Sequence, residues 1–307
     1  MKVRWGLDAL PEVLGGRRAF LLATPRWDAP LDVAGRWSEL PTERIDEIDP
    51  GDAEVLLALG GGSTIDTAKA VSARTGLPLV SLPTTYSGAE WTPYYGIRTP
   101  SRQRVGAGGG AYLEGIVYDA ELTLGLPRDV AAGTAMNALA HACEALYVRG
   151  RDPAADGIAL EGAQLISDSL PRVLDDPGSL EDRNRLLQGA SRAGEALARS
   201  GLALAHAIAQ TIGGRYGIAH GAMNAVSLPP VLRFNADFVP RELLAGHAAE
   251  RAGELAALGG FTSLLALGVP ADELPALAEA TVATPGARAN PRPVDAPQVL
   301  ELLRSVA

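Results

Sequence analysis

The sequence predicts a two-part fold, an α/β half built on a parallel sheet followed by an all-helical half, and three observations point to it. Short apolar strands alternate with helical stretches as far as Pro127. The texture then changes to long runs rich in Ala and Leu. Between two of the early elements a glycine-rich turn links a strand to a helix. Strands separated by helices need crossover connections, which implies parallel pairing with right-handed crossovers.

Each element has a local reason. Residues 18–24, RAFLLAT, read as an apolar strand after the turn at Gly15 and Gly16, and residues 55–59, VLLAL, as a second that feeds Gly60 to Gly62. The helix over 63–74 follows, then a strand over 79–82 closed by Pro83, and one more over 116–118. The stretch 24–52 carries Pro25, Pro30, Pro41 and Pro50 and only one short helical pattern, so one crossover is expected to be abbreviated or irregular. Beyond Pro127, helices are expected over 129–147, 156–174, 180–198, 202–213 and 241–258, where β-branched runs are few. Pro, Asp and Gly break the pattern at 151–153 and 175–178.

Composition narrows the function. A chain of 307 residues that is 47% hydrophobic has enough apolar material for a large core. A net charge of -9 without clustered Lys or Arg argues against a nucleic-acid surface. No stretch reaches the roughly 18 unbroken apolar residues of a membrane span, and the first residues lack the apolar core of a signal peptide. The expected setting is therefore cytoplasmic, with no membrane partner. The single Cys143 cannot form an internal disulfide, which fits a reducing compartment. It has no histidine in an obvious motif and reads as a buried thiol. Lysine occurs only as Lys2 and Lys69, which excludes most lysine chemistry. Lys69, one turn into the helix behind the glycine loop, suits a structural or phosphate-side role better than a Schiff base.

Two loops and one set of side chains carry the chemistry. Gly60-Gly61-Gly62-Ser63-Thr64-Ile65-Asp66 follows a strand and opens a helix, so its backbone can approach a pyrophosphate that also meets the helix dipole. Pro83-Thr84-Thr85-Tyr86-Ser87-Gly88 ends the next strand, which brings two hydroxyl-bearing loops to one sheet edge. In the helical half Asn137 and His141 stand four apart, as do His206 and Gln210, so each pair projects from one helix face. His220 follows on the connection into the next segment. A lone histidine on an alanine-rich face is usually a core residue; three at this spacing point to function. His247 has no partner at useful spacing and reads as structural.

The segments GGGSTIDTAKA, LPTTYSGAE, VYDAELTLGLP, MNALAHACEAL, GIAHGAMNAV and NPRPV, in this order from about Val55 onward, resemble the iron-containing alcohol dehydrogenase family, which has a dehydroquinate synthase-like fold. Within it, TTYSGAEWTP, the Asn of MNALAH and the terminal NPRPV resemble the maleylacetate reductase branch. The resemblance implies a Rossmann-like dinucleotide-binding domain over 1–124 and a helical substrate and catalytic domain over 125–307. It also implies NADH or NADPH in the cleft between them, and a homodimer. The family's cofactor contacts map onto Gly61, Gly62, Ser63, Asp66, Thr84, Thr85 and Ser87. Some members carry an NAD-selecting Asp where this chain reads Thr24-Pro25-Arg26, so NADP stays open. Arg26 either faces a 2'-phosphate or is a solvated loop residue.

In metal-dependent relatives the positions of Asn137, His141, His206 and His220 bind the ion, and that of Gln210 holds a histidine near the hydride acceptor. Asn137 replaces the one anionic ligand, so no metal is expected. The resemblance instead implies imidazoles that hold a substrate oxygen and supply a proton, with His206 as the preferred acid or electrophilic donor and His141 and His220 assisting. On the substrate side it implies Tyr86 and Glu90, with Trp91, Tyr94 and Tyr95 nearby. Gln103 stands where the family has a lysine. Arg102, with Arg98 and Arg104, either meets a dicarboxylate with its fork or is simply exposed. Gln210 departs from the branch by placing a non-titrating amide where it keeps a histidine.

The expected function is a metal-independent NAD(P)H-dependent reductase of a small unsaturated or oxo acid. The alternative is a cyclase, isomerase or lyase on the same scaffold that uses His141, His206 and His220 as acid and base. A catalytically silent binding protein is a third reading.

Overall fold

The computed structural model describes residues 1–28 and 31–307, so Pro30 of the irregular stretch lies outside the described residues. The chain divides into two compact units, residues 1–85 with 89–126 and residues 86–88 with 127–307.

In chain order the strands of the first unit are β1 (Lys2–Trp5), β2 (Ala19–Leu22), β3 (Gly35–Trp37), β4 (Val55–Gly60), β5 (Leu79–Pro83), β6 (Tyr95–Arg98), β7 (Arg104–Gly108) and β8 (Leu113–Tyr118). Six of them form a sheet in the order β1-β8-β5-β4-β2-β3, with every neighbouring pair parallel. Strands β2, β4 and β5 are buried along their whole length, as a parallel sheet covered on both faces requires. Alternate residues of β4 feed two cores. Val55, Leu57 and Leu59 join Leu10 and Val13 of the short helix α1 (Leu10–Leu14) on one face. On the other, Leu56 and Ala58 join Ile65, Ala68 and Val71 of α2 (Gly62–Thr75).

The irregular crossover is real: β3 pairs beside β2, and a 3-10 turn at Ile45–Glu47 follows in place of a long helix. The sequence reading did not find the antiparallel hairpin of β6 and β7. Its glycines explain why. A Cβ on Gly108 would sit 2.5 Å from the Tyr95 hydroxyl and one on Gly106 3.3 Å from Ile97 Cδ1, so this run is bare because the facing strand fills the space.

The second unit is helical: α3 (Arg128–Ala145), α4 (Asp156–Asp175), α5 (Leu180–Ser200), α6 (Leu204–Tyr216), α7 (His220–Phe234), α8 (Ala248–Leu258), α9 (Leu274–Val282), α10 (Pro285–Ala289) and α11 (Ala296–Arg304). Helix α3 is its axis. Every residue from Ala135 to Ala145 is buried, and α4, α5 and α7 pack around it. Two expectations need correction. The helix expected over 241–258 starts only at Ala248, because Leu244 and Ala245 take positive φ values of 48° and 55°. His220, placed on a connection, is the first residue of α7. That helix was hidden by Pro229 and Pro230 in its interior, residues that ordinarily end a helix. Among the described residues no helix is long and apolar enough to cross a membrane.

Candidate active site

In the sheet unit, β4 and β5 end side by side, with Gly60 paired to Pro83, so the loops that follow them leave the same edge. The Thr84 N–H donates to the Gly60 carbonyl at 3.1 Å. A Cβ on Gly61 would lie 2.8 Å from Thr85 Cγ2 and one on Gly60 2.5 Å from Thr64 Oγ1, so any side chain here would push the loops apart. Helix α2 starts with Gly61 as its N-cap and no side chain capping its first turn. Gly62 and Ser63 therefore open a turn whose backbone N–H groups are left to an anion. The Thr85 hydroxyl is buried without a hydrogen-bond partner. A backbone cradle with an orphaned hydroxyl fits the phosphates of a dinucleotide.

Asp66 faces another way. It pairs with Lys69 at 3.0 Å and accepts from the Gly96 N–H at 3.2 Å, while the buried Lys69 donates to the Tyr94 carbonyl at 2.7 Å. Both tie α2 to the hairpin, so of its two readings Lys69 takes the structural one. Glu90 is buried and accepts from the Tyr118 hydroxyl at 2.6 Å, which in turn accepts from Trp91 Nε1 at 2.8 Å. Burial raises the Glu90 carboxyl above the usual range, with the Tyr118 hydrogen bond and the Lys69 charge opposing. Arg102 and Gln103 are exposed in the hairpin turn, where the Gln103 carbonyl accepts from Thr99 N–H at 3.0 Å. Arg98 is half-buried, and its guanidinium is pushed below its ordinary value mainly by burial.

In the helical unit, residues 86–88 are pinned against α3. Tyr86 is fully buried, and its hydroxyl accepts from the equally buried Arg183 at 3.2 Å. The Ser87 carbonyl accepts from Asn137 Nδ2 at 2.8 Å, and the Ser87 hydroxyl is buried without a partner. Gly88, at φ 73°, brings its backbone so close that a Cβ would lie 3.1 Å from His141 Nδ1.

Asn137 is committed at both ends. A backbone carbonyl can only accept, so the amide nitrogen must be the atom facing Ser87. The amide oxygen then accepts from Asn224 Nδ2 at 2.7 Å, and the nitrogen also lies 3.4 Å from His141 Nε2. His141 stacks on His206 with ring centroids 4.6 Å apart and planes 11° from parallel. His206 Nδ1 lies 2.7 Å from a Glu144 oxygen. The fully buried Glu144 also accepts from the N–H groups of Ala203 at 2.7 Å, Ala205 at 2.6 Å and His206 at 3.4 Å, so it closes the start of α6. His206 Nε2 is buried and has no hydrogen-bond partner.

Gln210 lies one turn further along α6, partly exposed. His220 heads α7, where a Cβ on Gly213 would be 3.5 Å from its Nδ1. Its position is set by Gly221, which touches Gly133 of α3 so closely that a Cβ would lie 2.3 Å from that backbone. The structure thus brings Asn137, His141 and His206 together. Among the described residues no three His, Cys, Asp or Glu side chains form a group that could hold a metal ion. Cys143 is buried and its thiol pushed up by that burial, with the Glu144 charge adding to it, so it is inert.

Glu144 and Asn224 were missed by sequence reasoning. Their signal was present: Asn224 is the one polar side chain in the run GAMNAV, and Glu144 is the one carboxylate in LAHACEAL, a charge inside an alanine-rich helical run.

The family model for the C-terminal part of the Fe-containing alcohol dehydrogenase family matches residues 131–307, and that for iron-containing alcohol dehydrogenase matches residues 42–111. Maleylacetate reductase of Rhizobium sp. (strain MTP-10005) is 35% identical over 304 residues, 97% of this chain and 84% of that protein. Maleylacetate reductase 1 of Rhodococcus opacus is 36% identical over 267 residues, 84% of this chain and 74% of that one. The crystal structure of maleylacetate reductase from Agrobacterium tumefaciens matches with a TM-score of 0.88 at 32% identity, covering 99% of this chain and 95% of that one. The chain belongs to the iron-containing alcohol dehydrogenase family and is an NAD(P)H-dependent reductase.

Proposed function

We propose that this chain reduces maleylacetate or a closely similar unsaturated oxo-dicarboxylate, and that it does so without a metal ion. The observation that carries the metal-free reading is the commitment of Asn137. Its nitrogen is held by the Ser87 carbonyl and its oxygen already accepts from Asn224, so a neutral amide engaged at both ends stands where an ion needs an anionic ligand. The donor set therefore does not fit a divalent metal. The substrate class is supported by the names of the relatives.

In this reading Gly61, Gly62, Ser63, Thr84, Thr85 and Ser87 hold the dinucleotide, with the uncapped first turn of α2 and the orphaned Thr85 hydroxyl meeting phosphate or ribose oxygens. NADH or NADPH held there would supply the hydride that adds to one carbon of the conjugated C=C bond. Negative charge then gathers on the conjugated oxygen, where His141 and His220 assist as hydrogen-bonding groups. His206, carrying a second ring proton taken up from solvent, gives it from Nε2 to the neighbouring carbon and returns to the neutral imidazole, completing the addition of two hydrogens. Gln210 contributes a hydrogen-bonding amide that does not titrate. Tyr86, Glu90 and Asp66 support the loops, and Arg102 and Gln103 offer polar groups at the hairpin turn. A homodimer in the cytoplasm completes the proposal. A non-redox enzyme is not favoured, because the matched relatives are reductases.

The test is direct. Protein stripped with a chelator and checked by elemental analysis is mixed with maleylacetate and NADH or NADPH. Loss of reduced-cofactor absorbance at the untreated rate is expected. Activity that disappears on stripping and returns only with iron or zinc would overturn the metal-free assignment.

A further inference from the structure

The charge that Asn137 lacks is present elsewhere in the same helix. Glu144, three residues beyond His141, is fully buried, and its two oxygens receive four donors: the N–H groups of Ala203, Ala205 and His206, and His206 Nδ1. From this geometry we infer that Glu144 is the positioning residue of the reaction, setting the tautomer of His206 so that Nε2 alone exchanges a proton. This rests on the role given to His206 under the proposed function.

A carboxylate receiving three backbone N–H groups has no hydrogen to offer, so the fourth contact, at 2.7 Å, is made by a proton on Nδ1. Stacking on His141 fixes the plane of the ring, and the carboxylate fixes its rotation about that plane. Nε2 is left buried and without a protein partner, the state of an atom kept for a ligand. The arrangement is the buried carboxylate behind an imidazole that holds the ring in one tautomer in other enzymes.

Replacing Glu144 by Gln reverses the contact. Placed at Oε1, the new NH2 group would face two backbone N–H groups, those of Ala205 and His206; at Oε2 it faces only that of Ala203. The second orientation is favoured, and there the amide donates to His206 Nδ1. The ring proton then moves to Nε2. A neutral imidazole with its hydrogen on Nε2 can form a hydrogen bond but cannot release that proton without becoming an anion. The variant keeps the shape of the site and loses its acid.

The chain has four histidines, so selective 15N-histidine labelling of the wild-type protein gives a readable spectrum. The neutral His206 ring, identified by the signals lost in His206→Gln, is expected to carry its proton on Nδ1. Finding it on Nε2 overturns the inference whatever the variants do. In single turnover with maleylacetate, Glu144→Gln is expected to slow reduction at least about 100-fold while NAD(P)H affinity stays within twofold. The double variant with His206→Gln is expected to be no slower than His206→Gln alone. Losses that multiply in the double variant show a structural role for Glu144 and overturn its action through His206. A His206→Gln variant as fast as wild type instead overturns the proton-donor role of His206, an outcome distinct from a wrong tautomer. If Glu144→Gln does not fold, the wild-type spectrum decides.

Discussion

The two units build their functional groups in opposite ways. In the sheet unit the cradle is made by leaving side chains out: Gly60 and Gly61 are bare because Thr64 and Thr85 occupy the space a Cβ would need, and the first turn of α2 has no capping group. In the helical unit the groups are side chains, and each is held by another polar group: Asn137 by the Ser87 carbonyl and Asn224, His206 by the buried Glu144. A backbone cradle tolerates no added atoms. A buried side-chain network is upset as well by a changed proton, because each donor in it must face an acceptor.

That contrast can be broken experimentally, beginning with the strongest perturbation. His206→Gln should reduce turnover by about 10²- to 10⁴-fold, the usual share of a general acid, with NAD(P)H affinity unchanged by fluorescence titration. A parallel loss of cofactor affinity would mean that the units do not divide the work as described. Gly61→Val should do the reverse. Its branches would meet the Thr85 methyl, already 2.8 Å from a Cβ, and overpacking of about 1–3 kcal/mol should weaken NAD(P)H binding on the order of tenfold or more. Unchanged affinity would show that the glycine loop does not hold the cofactor.

Asn137→Asp sharpens the comparison from the other side. The carboxylate cannot donate to Ser87, so a part-buried carbonyl loses its partner and stability should fall by about 1 kcal/mol or more, read from the urea midpoint. Iron or zinc taken up by this variant but not by the wild type would show that the missing charge at Asn137 is what excludes an ion, and an unchanged urea midpoint would show that the contact with Ser87 does not hold the site together.

The smallest effect concerns Glu90. Its folded-state pKa lies above the ordinary carboxylate value because of burial, so the native state holds this proton more tightly than the unfolded chain. Stability from this group is fully present below the ordinary value and is lost as pH rises through the folded value. Glu90→Gln should flatten that loss, giving urea midpoints that change less between acidic and alkaline buffer than in the wild type. An unchanged slope would assign the pH dependence to other groups.

The same contrast explains what could be read in advance. Three glycines between VLLAL and a helix signal a backbone site with no knowledge of neighbours, because absent side chains are visible in one dimension. The i, i+4 spacings of Asn137 with His141 and of His206 with Gln210 are equally local. The pairing of Glu144 with His206 joins residues 62 apart in the chain, and nothing local assigns that partner. The β6 and β7 hairpin escaped for a related reason: its glycines answer to Tyr95 and Ile97 on the facing strand. Helix α7 escaped because Pro229 and Pro230 outweighed its apolar pattern.

The central claim, that a hydride from the cofactor and a proton from the imidazole site add across one C=C bond, is tested most directly by isotope tracing. Maleylacetate is reduced in ordinary water with NADH or NADPH deuterated at the transferring position, and the product is analysed by mass and by NMR. One deuterium on one carbon of the former double bond, with a solvent hydrogen on its neighbour, is the predicted result. Product without deuterium, or turnover that needs no reduced cofactor, would contradict the account.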